Sequence, residues 1–319
     1  MDALWQWFGS AHTWLFEHIT QPLLHAAGGM HLAEDAYLGT ELALAGALQI
    51  TALLLLLRPL EALTPVEPRL DGRAIRTDVV YTLLTRLGLL PLLFFFLLLP
   101  LEGWLDSRLH SIGLIRPTLE TLIPALAQQP LAAFFCYLAV LDLTGYWIHR
   151  AQHRFAWWWA LHAVHHSQRQ LTFWSDNRNH VLDDLIVSLL LALVVRLIGV
   201  PPAQFIVLTV AIAMIENLSH ANTRLQFGAV GARLLVSPRF HRWHHAIGDG
   251  HEGLRRGINF GALLPLWDML FRTADFRGGT PPTGIRDQLS GTNYGSGWWA
   301  QQGLGFGRLW RALAQRPAH

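Results

Sequence analysis

An apolar stretch from Pro130 to Ile148 runs without interruption into His149-Arg150-Ala151-Gln152-His153. Few folds accommodate such a join. About 20 apolar residues carry a helix across the roughly 30 Å hydrocarbon core of a bilayer, and within that core the backbone has to satisfy its own hydrogen bonds. If the same helix continues past the membrane edge, His149 and His153 share one face, because positions i and i+4 stack along a helix. Two further boxes follow, His162, His165 and His166 in HAVHH and His241, His244 and His245 in HRWHH. Eight of the 17 histidines therefore fall in three clusters, too many for coincidence.

The composition agrees with a membrane protein. Only 14% of the 319 residues are charged and 52% are hydrophobic, against about 25% charged in soluble domains. Apolar runs cover Glu41–Leu57, Val79–Leu101 and Pro130–Ile148, and two shorter runs split by Pro201-Pro202 form a hairpin at about 184–219 that spans or re-enters the membrane. Arg86, near the start of the second run, is placed to snorkel toward the interface. Segment 1–40, with Trp5, Trp7, Phe8, Trp14 and Phe16, reads as interfacial. Residues 41–148 hold the first spans, 149–275 the chemistry-bearing region and 276–319 a C-terminal tail. The start MDALWQWFGS lacks a basic region, so no cleavable signal peptide is expected. Cys136 is the single cysteine, so no internal disulfide is expected. The small net charge of +2, with no aromatic-basic clusters, gives no reason to expect nucleic acid as a partner.

All 24 basic residues are arginine, and they are unevenly spread. None lies in 1–40 and two in 102–129, but four lie in 58–78, four in 149–183 and twelve in 220–319. Alternating spans put the three Arg-rich regions on one side, which the positive-inside rule makes cytoplasmic. The histidine boxes then lie just beneath the membrane on that side. The expected fold is all-α: an integral membrane helical bundle with a cytoplasmic helical cap carrying a histidine-rich di-metal site. No period-two pattern marks a strand, though loop-only strands in 220–300 stay possible.

Imidazole binds Fe, Zn, Cu and Ni, so ligand type does not choose the metal. Ligand number does constrain it, because eight or more imidazoles exceed the needs of one four- to six-coordinate ion. His220 in ENLSHAN and His180 in DNRNHVLDD fall where the chain returns to the boxes and are further candidates, His180 the least constrained. Asp142, Tyr146, His149 and His153 form one helical stripe. Asp142 is read either as the acceptor that fixes a ligand imidazole or as a satisfied polar residue at a helix interface. Glu216, one turn before His220, is read as a carboxylate ligand, as an acceptor behind one, or as a helix-end charge. His251 and the early histidines His12, His18, His25 and His31 have no ligand spacing and read as interfacial or surface. Trp147, Trp157, Trp158, Trp159, Phe173 and Trp174 lie around the first two boxes. They are candidates for a lipid slot, with an interfacial belt preferred for Trp157–Trp159. HExxH, GxSxG, Walker and CxxC signatures are absent; His251-Glu252 is followed by Gly-Leu-Arg.

The three boxes, in this order, resemble those of the fatty acid hydroxylase/sterol desaturase superfamily, membrane di-iron enzymes that act on lipids. DLTGYWIHRAQH is similar to that family's Asp-containing helix and Trp–x–His–Arg start. In NFGALLPLWDMLFRT, the residues Asn259, Gly261, Trp267, Asp268 and Phe271 match its closing signature. RNHVLDD and SHAN are similar to two of its single-histidine stretches. The likeness covers about residues 75–275. Two positions depart from it: Arg272 stands where a Gly usually follows Phe, and Glu216 where some members have a His. The resemblance implies two irons (zinc can substitute in a purified sample) held by the eight box histidines, with His220 and then His180 as additional ligands. It also implies dioxygen as co-substrate, a lipid substrate and hydroxylation of an unactivated C–H bond. Desaturation at the same centre is the alternative, and a non-enzymatic metal-binding or transport protein the other. No flavin, haem or iron–sulfur motif appears, so a separate electron-donor protein is expected, in an integral protein of a bacterial inner membrane.

Overall fold

The computed structural model describes residues 2–68, 71–113, 118–251 and 257–314. Glu252, Arg69, Arg116, Arg255, Arg256 and Arg316, used above, lie outside them. The described residues form helices and loops with no strand; the nearest approach to one is an isolated bridge between Ala246 and Thr283. In chain order the α-helices are α1 (Asp2–Leu15), α2 (Gln21–Ala26), α3 (Ala33–Leu63), α4 (Gly72–Arg86), α5 (Leu89–Ser111), α6 (Leu119–Leu122), α7 (Pro130–Arg154), α8 (Ala156–His166), α9 (Val181–Ile198), α10 (Pro202–His220), α11 (Gly228–Leu234), α12 (Pro238–His244), α13 (Leu266–Leu270) and α14 (Trp298–Ala314).

Among the described residues, three segments are long and apolar enough to cross a membrane: Met30–Leu63, Leu89–Ser111 and Pro130–Arg154. They leave large apolar side chains outside, among them Leu55, Leu56, Phe96, Leu131 and Phe135. That is the arrangement expected when lipid, not water, is the solvent. The hairpin is present as α9 and α10. It closes at Gly199, whose left-handed backbone (φ 64°) ends α9, and restarts at Pro201-Pro202. At 18 and 19 residues each arm is about 27–29 Å long, close to the hydrocarbon thickness. The base of α7 packs on this hairpin through Tyr137, Leu141, Val200 and Leu208.

The second apolar run is not one helix. It breaks at Gly88 (φ 85°) into α4 and α5. The reason lies in a polar stripe on α4 that the hydropathy of the run conceals. Asp78 pairs with Arg178, both side chains under 10% exposed. The Tyr81 hydroxyl accepts from Gln302, and the Thr82 hydroxyl donates to the Trp174 carbonyl. Arg86 does not snorkel. It turns inward to Gln49 and Asp176. Helix α4 is thus a strut of the cap, and the span shifts to Leu89–Ser111.

α3 crosses α4 at Gly46, where an added Cβ would lie 1.5 Å from the Arg86 carbonyl oxygen. A methyl group there forces backbone apart, a cost of about 1–3 kcal/mol or more. At Gly103 on α5 a Cβ meets nothing within 4 Å. We expect Gly46→Ala to lower the melting temperature of the detergent-solubilised protein and Gly103→Ala to leave it unchanged or raised. Equal behaviour of the two variants contradicts the crossing.

Candidate metal centre

The turn between α7 and α8 is short. Arg154 ends one helix, Phe155 adopts an extended backbone, and Ala156 starts the next. The second histidine box therefore folds back onto the first. Helix α12 is equally constrained at its start: Ser237 accepts from the Phe240 N–H and Pro238 begins the helix. Its last turn carries His241 and His244, with His245 at the C-cap. α10 ends on His220.

These elements bring nine imidazoles into two adjoining groups: His149, His153, His162, His166 and His244 in one, and His165, His220, His241 and His245 in the other. Within each group one nitrogen from each ring lies within 4.8 Å of those of the others. The three rings of HAVHH do not act as one face, as their spacing suggests. The i, i+4 pair His162 and His166 joins one group, while His165 joins the other. HRWHH divides the same way, with His241 and His245 together and His244 apart. His166 and His245 stack at 4.4 Å between the groups.

The tautomers explain which nitrogen faces inward. Nδ1 of His149 donates to the Phe260 carbonyl, Nδ1 of His244 to the Ile258 carbonyl and Nδ1 of His220 to the Glu216 carbonyl, each at 2.8 Å. Nδ1 of His162 donates to the Asp183 carboxylate at 3.1 Å. A carbonyl only accepts, so Nδ1 holds the proton and Nε2 keeps its lone pair. Those Nε2 atoms crowd together. His220 Nε2 is 3.3 Å from His165 Nε2 and 3.0 Å from His241 Nε2, and His244 Nε2 is 3.1 Å from His166 Nε2. His149 Nε2, His162 Nε2 and both nitrogens of His153 are buried without a hydrogen-bond partner. Buried polar atoms left like this are costly, and converging lone pairs are what a cation satisfies. The residues fit a pair of metal ions.

The segment after the third box orients these rings. Asn259 sits in the left-handed region (φ 58°), held there by bonds from its side chain to the Phe240 and Asp275 carbonyls and from the Asp275 N–H. The Asp268 carboxylate accepts from the Phe260 and Gly261 N–H groups and from Thr273. Burial raises Asp268 to about 6 even so. An added Cβ on Gly261 would meet Asp268 at 2.9 Å. Together they aim the carbonyls of Ile258 and Phe260 at His244 and His149. Arg272, which departs from the resemblance, takes φ 60°, the backbone a glycine adopts without cost.

Several expectations are corrected here. Asp142 accepts from the Leu263 and Leu264 N–H groups and Trp267 Nε1, tying α7 to the orienting segment; it receives no bond from a histidine. The carboxylate behind a ring is Asp183, which also accepts from Gln152 and Trp158. The only sequence signal for it is the acidic pair after the lone His180. His180 lies outside both groups. Its Nε2 bonds the Gln302 carbonyl and its Nδ1 accepts from the Leu182 N–H. Glu216 meets His220 through its backbone carbonyl. His251 is buried, stacked on Trp159, and His12 is buried against Tyr37. Trp158 is buried on Asp183, and Trp159 lies 5.0 Å from His153 and 5.2 Å from His166. Those two indoles wall the histidines instead of joining a belt.

A cavity of about 410 Å3 opens beside the groups. His149, His162, His165, His220 and His241 line one end, followed by Glu216 and Asp184, and then by Leu141, Leu191, Phe205 and Ile212 from α7, α9 and α10. The aromatic residues proposed from sequence for such a slot do not line it. Its walls are the hairpin and α7, so its apolar end faces the membrane-spanning part of the bundle.

Five imidazoles in the cap, those of His165, His166, His241, His244 and His245, are held well below the ordinary histidine value, first by burial and then by neighbouring imidazoles. Neutral rings are the ligating form. A depressed base binds fewer protons folded than unfolded once pH drops under about 6.5, so stability is present above that pH and lost below it, by at most about 1.4 kcal/mol per pH unit for each group. We expect the melting temperature of metal-free protein to fall steadily from about pH 7 to about pH 5; a flat profile contradicts the burial. Asp183→Asn is expected to weaken metal retention against a chelator about 10–100-fold, while His180→Ala retains metal.

The site falls within the stretch that matches known proteins. The fatty acid hydroxylase family model matches residues 134–273. Ornithine lipid hydroxylase OlsE of Rhizobium tropici is 30% identical over 138 residues, 43% of this chain and 40% of that protein. Alkylglycerol monooxygenase of Caenorhabditis elegans is 27% identical over 146 residues, 46% of this chain and 27% of that protein. The chain thus spans two fifths or less of the length of these relatives. No solved structure matches.

Proposed function

Because residues 134–273 match the fatty acid hydroxylase family model, we propose that this protein is a membrane-bound di-iron oxygenase that hydroxylates an unactivated C–H bond of a lipid. The observation that carries this reading is the pair of buried imidazole groups at one end of a cavity whose other walls include Leu141, Leu191, Phe205 and Ile212. One iron would be held by the group His149, His153, His162, His166 and His244, and the other by the group His165, His220, His241 and His245. Iron there would supply dioxygen activation and hydrogen abstraction. The protein does the rest. Carbonyls of Ile258, Phe260 and Glu216 and the Asp183 carboxylate fix ring tautomers and orientation, so no rearrangement is needed when charge changes at the centre. The slot between α7, α9 and α10 takes a lipid from the bilayer without passing it through water, and brings one carbon to the histidine end. Glu216 and Asp184 line the cavity beyond the histidines and can hold or pass protons.

The reaction takes two electrons per dioxygen from a separate donor protein, docking on the Arg-rich side that the positive-inside rule makes cytoplasmic, in an integral protein of a bacterial inner membrane. The named relatives act on lipids, in one case an ornithine lipid and in the other an alkylglycerol. This supports a complex lipid as the substrate here. Transport of metal is disfavoured, because ligands for transport lie along a path near the bilayer midplane, whereas these nine converge in two adjoining groups built largely from the cap.

The test is incorporation of isotopically labelled dioxygen into extracted lipids by iron-loaded protein supplied with electrons. We expect a hydroxylated lipid carrying the label, and loss of both metal and product in His165→Ala and His244→Ala with membrane insertion intact. A fully active His244→Ala protein, or an iron-loaded protein that never consumes dioxygen across a wide lipid panel, overturns the reading.

A further inference from the structure

Helix α14 lies outside the family match, yet it is built into the cap. Its inner face is Gln301, Gln302 and Gly305, all buried. Gln302 accepts from the Val181 N–H at 2.8 Å, donates to the Tyr81 hydroxyl and accepts from His180 through its backbone carbonyl. The fit is close: a Cβ on Gly305 would lie 2.2 Å from His180 Cδ2. Further along, Arg308 donates to the Ala160 carbonyl of α8. The helix therefore runs across the first residues of α9, the point at which the chain leaves the polar cap for the apolar hairpin, and along the helix that carries three box histidines.

The outer face is of a different kind. Trp299, Phe306, Trp310 and Leu313 are 82%, 48%, 74% and 62% exposed. At about 100° per residue, positions i, i+7, i+11 and i+14 fall within an arc of about 60°. A water-facing helix does not display two indoles, a phenyl ring and a leucine on one strip. Two features name what covers them. The helix is fixed through Gln302 to Val181, the start of α9, where the chain passes from the polar cap into the apolar hairpin and so toward the bilayer. The composition, indoles with an exposed Arg311 at the edge, is that of helices lying in the headgroup region.

We propose that α14 is an interfacial helix, lying in the membrane surface with the Trp299–Leu313 strip in the lipid, and that it holds the start of α9 through Gln302 and α8 through Arg308 at a fixed height over the bilayer. This does not rest on the oxygenase reading. The occupant is the lipid of the surrounding bilayer, at a depth of about 5–10 Å into the headgroup–acyl boundary.

The test uses the full chain in phosphatidylcholine–phosphatidylglycerol vesicles, with Cys136→Ala and either Trp310→Cys or Trp299→Cys carrying an environment-sensitive fluorophore. Two reporter positions guard against one variant failing to fold. We expect blue-shifted emission, protection from iodide, and stronger quenching by nitroxides placed high on the lipid chain than by those placed deep. Water-like emission with iodide access overturns the proposal. So does blue-shifted emission that no lipid nitroxide quenches, which assigns the strip to a second copy or another protein, and so does quenching strongest from the deep nitroxide, which makes the helix an inserted one.

Discussion

The whole arrangement depends on an imidazole nitrogen that has nowhere to put its lone pair. Three backbone carbonyls and one carboxylate take the Nδ1 protons of His149, His220, His244 and His162, and this choice points the Nε2 lone pairs at one another. Neutral imidazoles in that pose do not satisfy each other, and burial keeps the cap rings from solving the problem by protonation. Metal chemistry is written into the hydrogen bonds behind the rings as much as into the rings themselves.

Most of the polar residues that look out of place in apolar segments serve that end. Asp142 sits in a membrane-crossing helix, where an acidic side chain costs about 2.5–3.5 kcal/mol. Three N–H donors offset the cost, and all three come from the segment that orients His149 and His244. Arg86 and Asp176 act similarly. Asp176 accepts from Arg86 and from Asn217, and lies 3.6 Å from His220 Nδ1. The spans and the cap are thus cross-braced by pairs that the surrounding apolar sequence makes expensive to break.

Much of this was legible from residue order. The boxes, the helical hairpin and the all-helical fold follow from spacing and hydropathy and agree with the described helices, while the resemblance carried by the motifs agrees with the matched family region. The division of each HxxHH between two groups was not legible, because spacing gives the face of a helix but not which neighbour each ring meets. Nor was the break at Gly88, where the stripe Asp78, Tyr81, Thr82 is diluted by flanking leucines in any running average. His180 and Asp183 show the opposite difficulty. Three residues apart, His180 reads as a candidate ligand and Asp183 carries no reading of its own, and only tertiary contacts reveal that the first seats α14 while the second steers His162. Carbonyl acceptors such as Phe260 leave no mark in a sequence at all, since every residue has one.

The partners of α7 come late in the chain. Phe260 follows His149 by 111 residues, and the groups that hold Asp142 follow it by 121 to 125. A ribosome that has just delivered α7 to the membrane has made a span with a bare carboxyl and freely turning histidines. Both stay so until the stretch through Trp267 and Asp268 emerges and docks. Assembly of the centre is therefore a post-insertion event, and a chain halted before that stretch would lie in the membrane at its proper length with its ion-binding pocket unset.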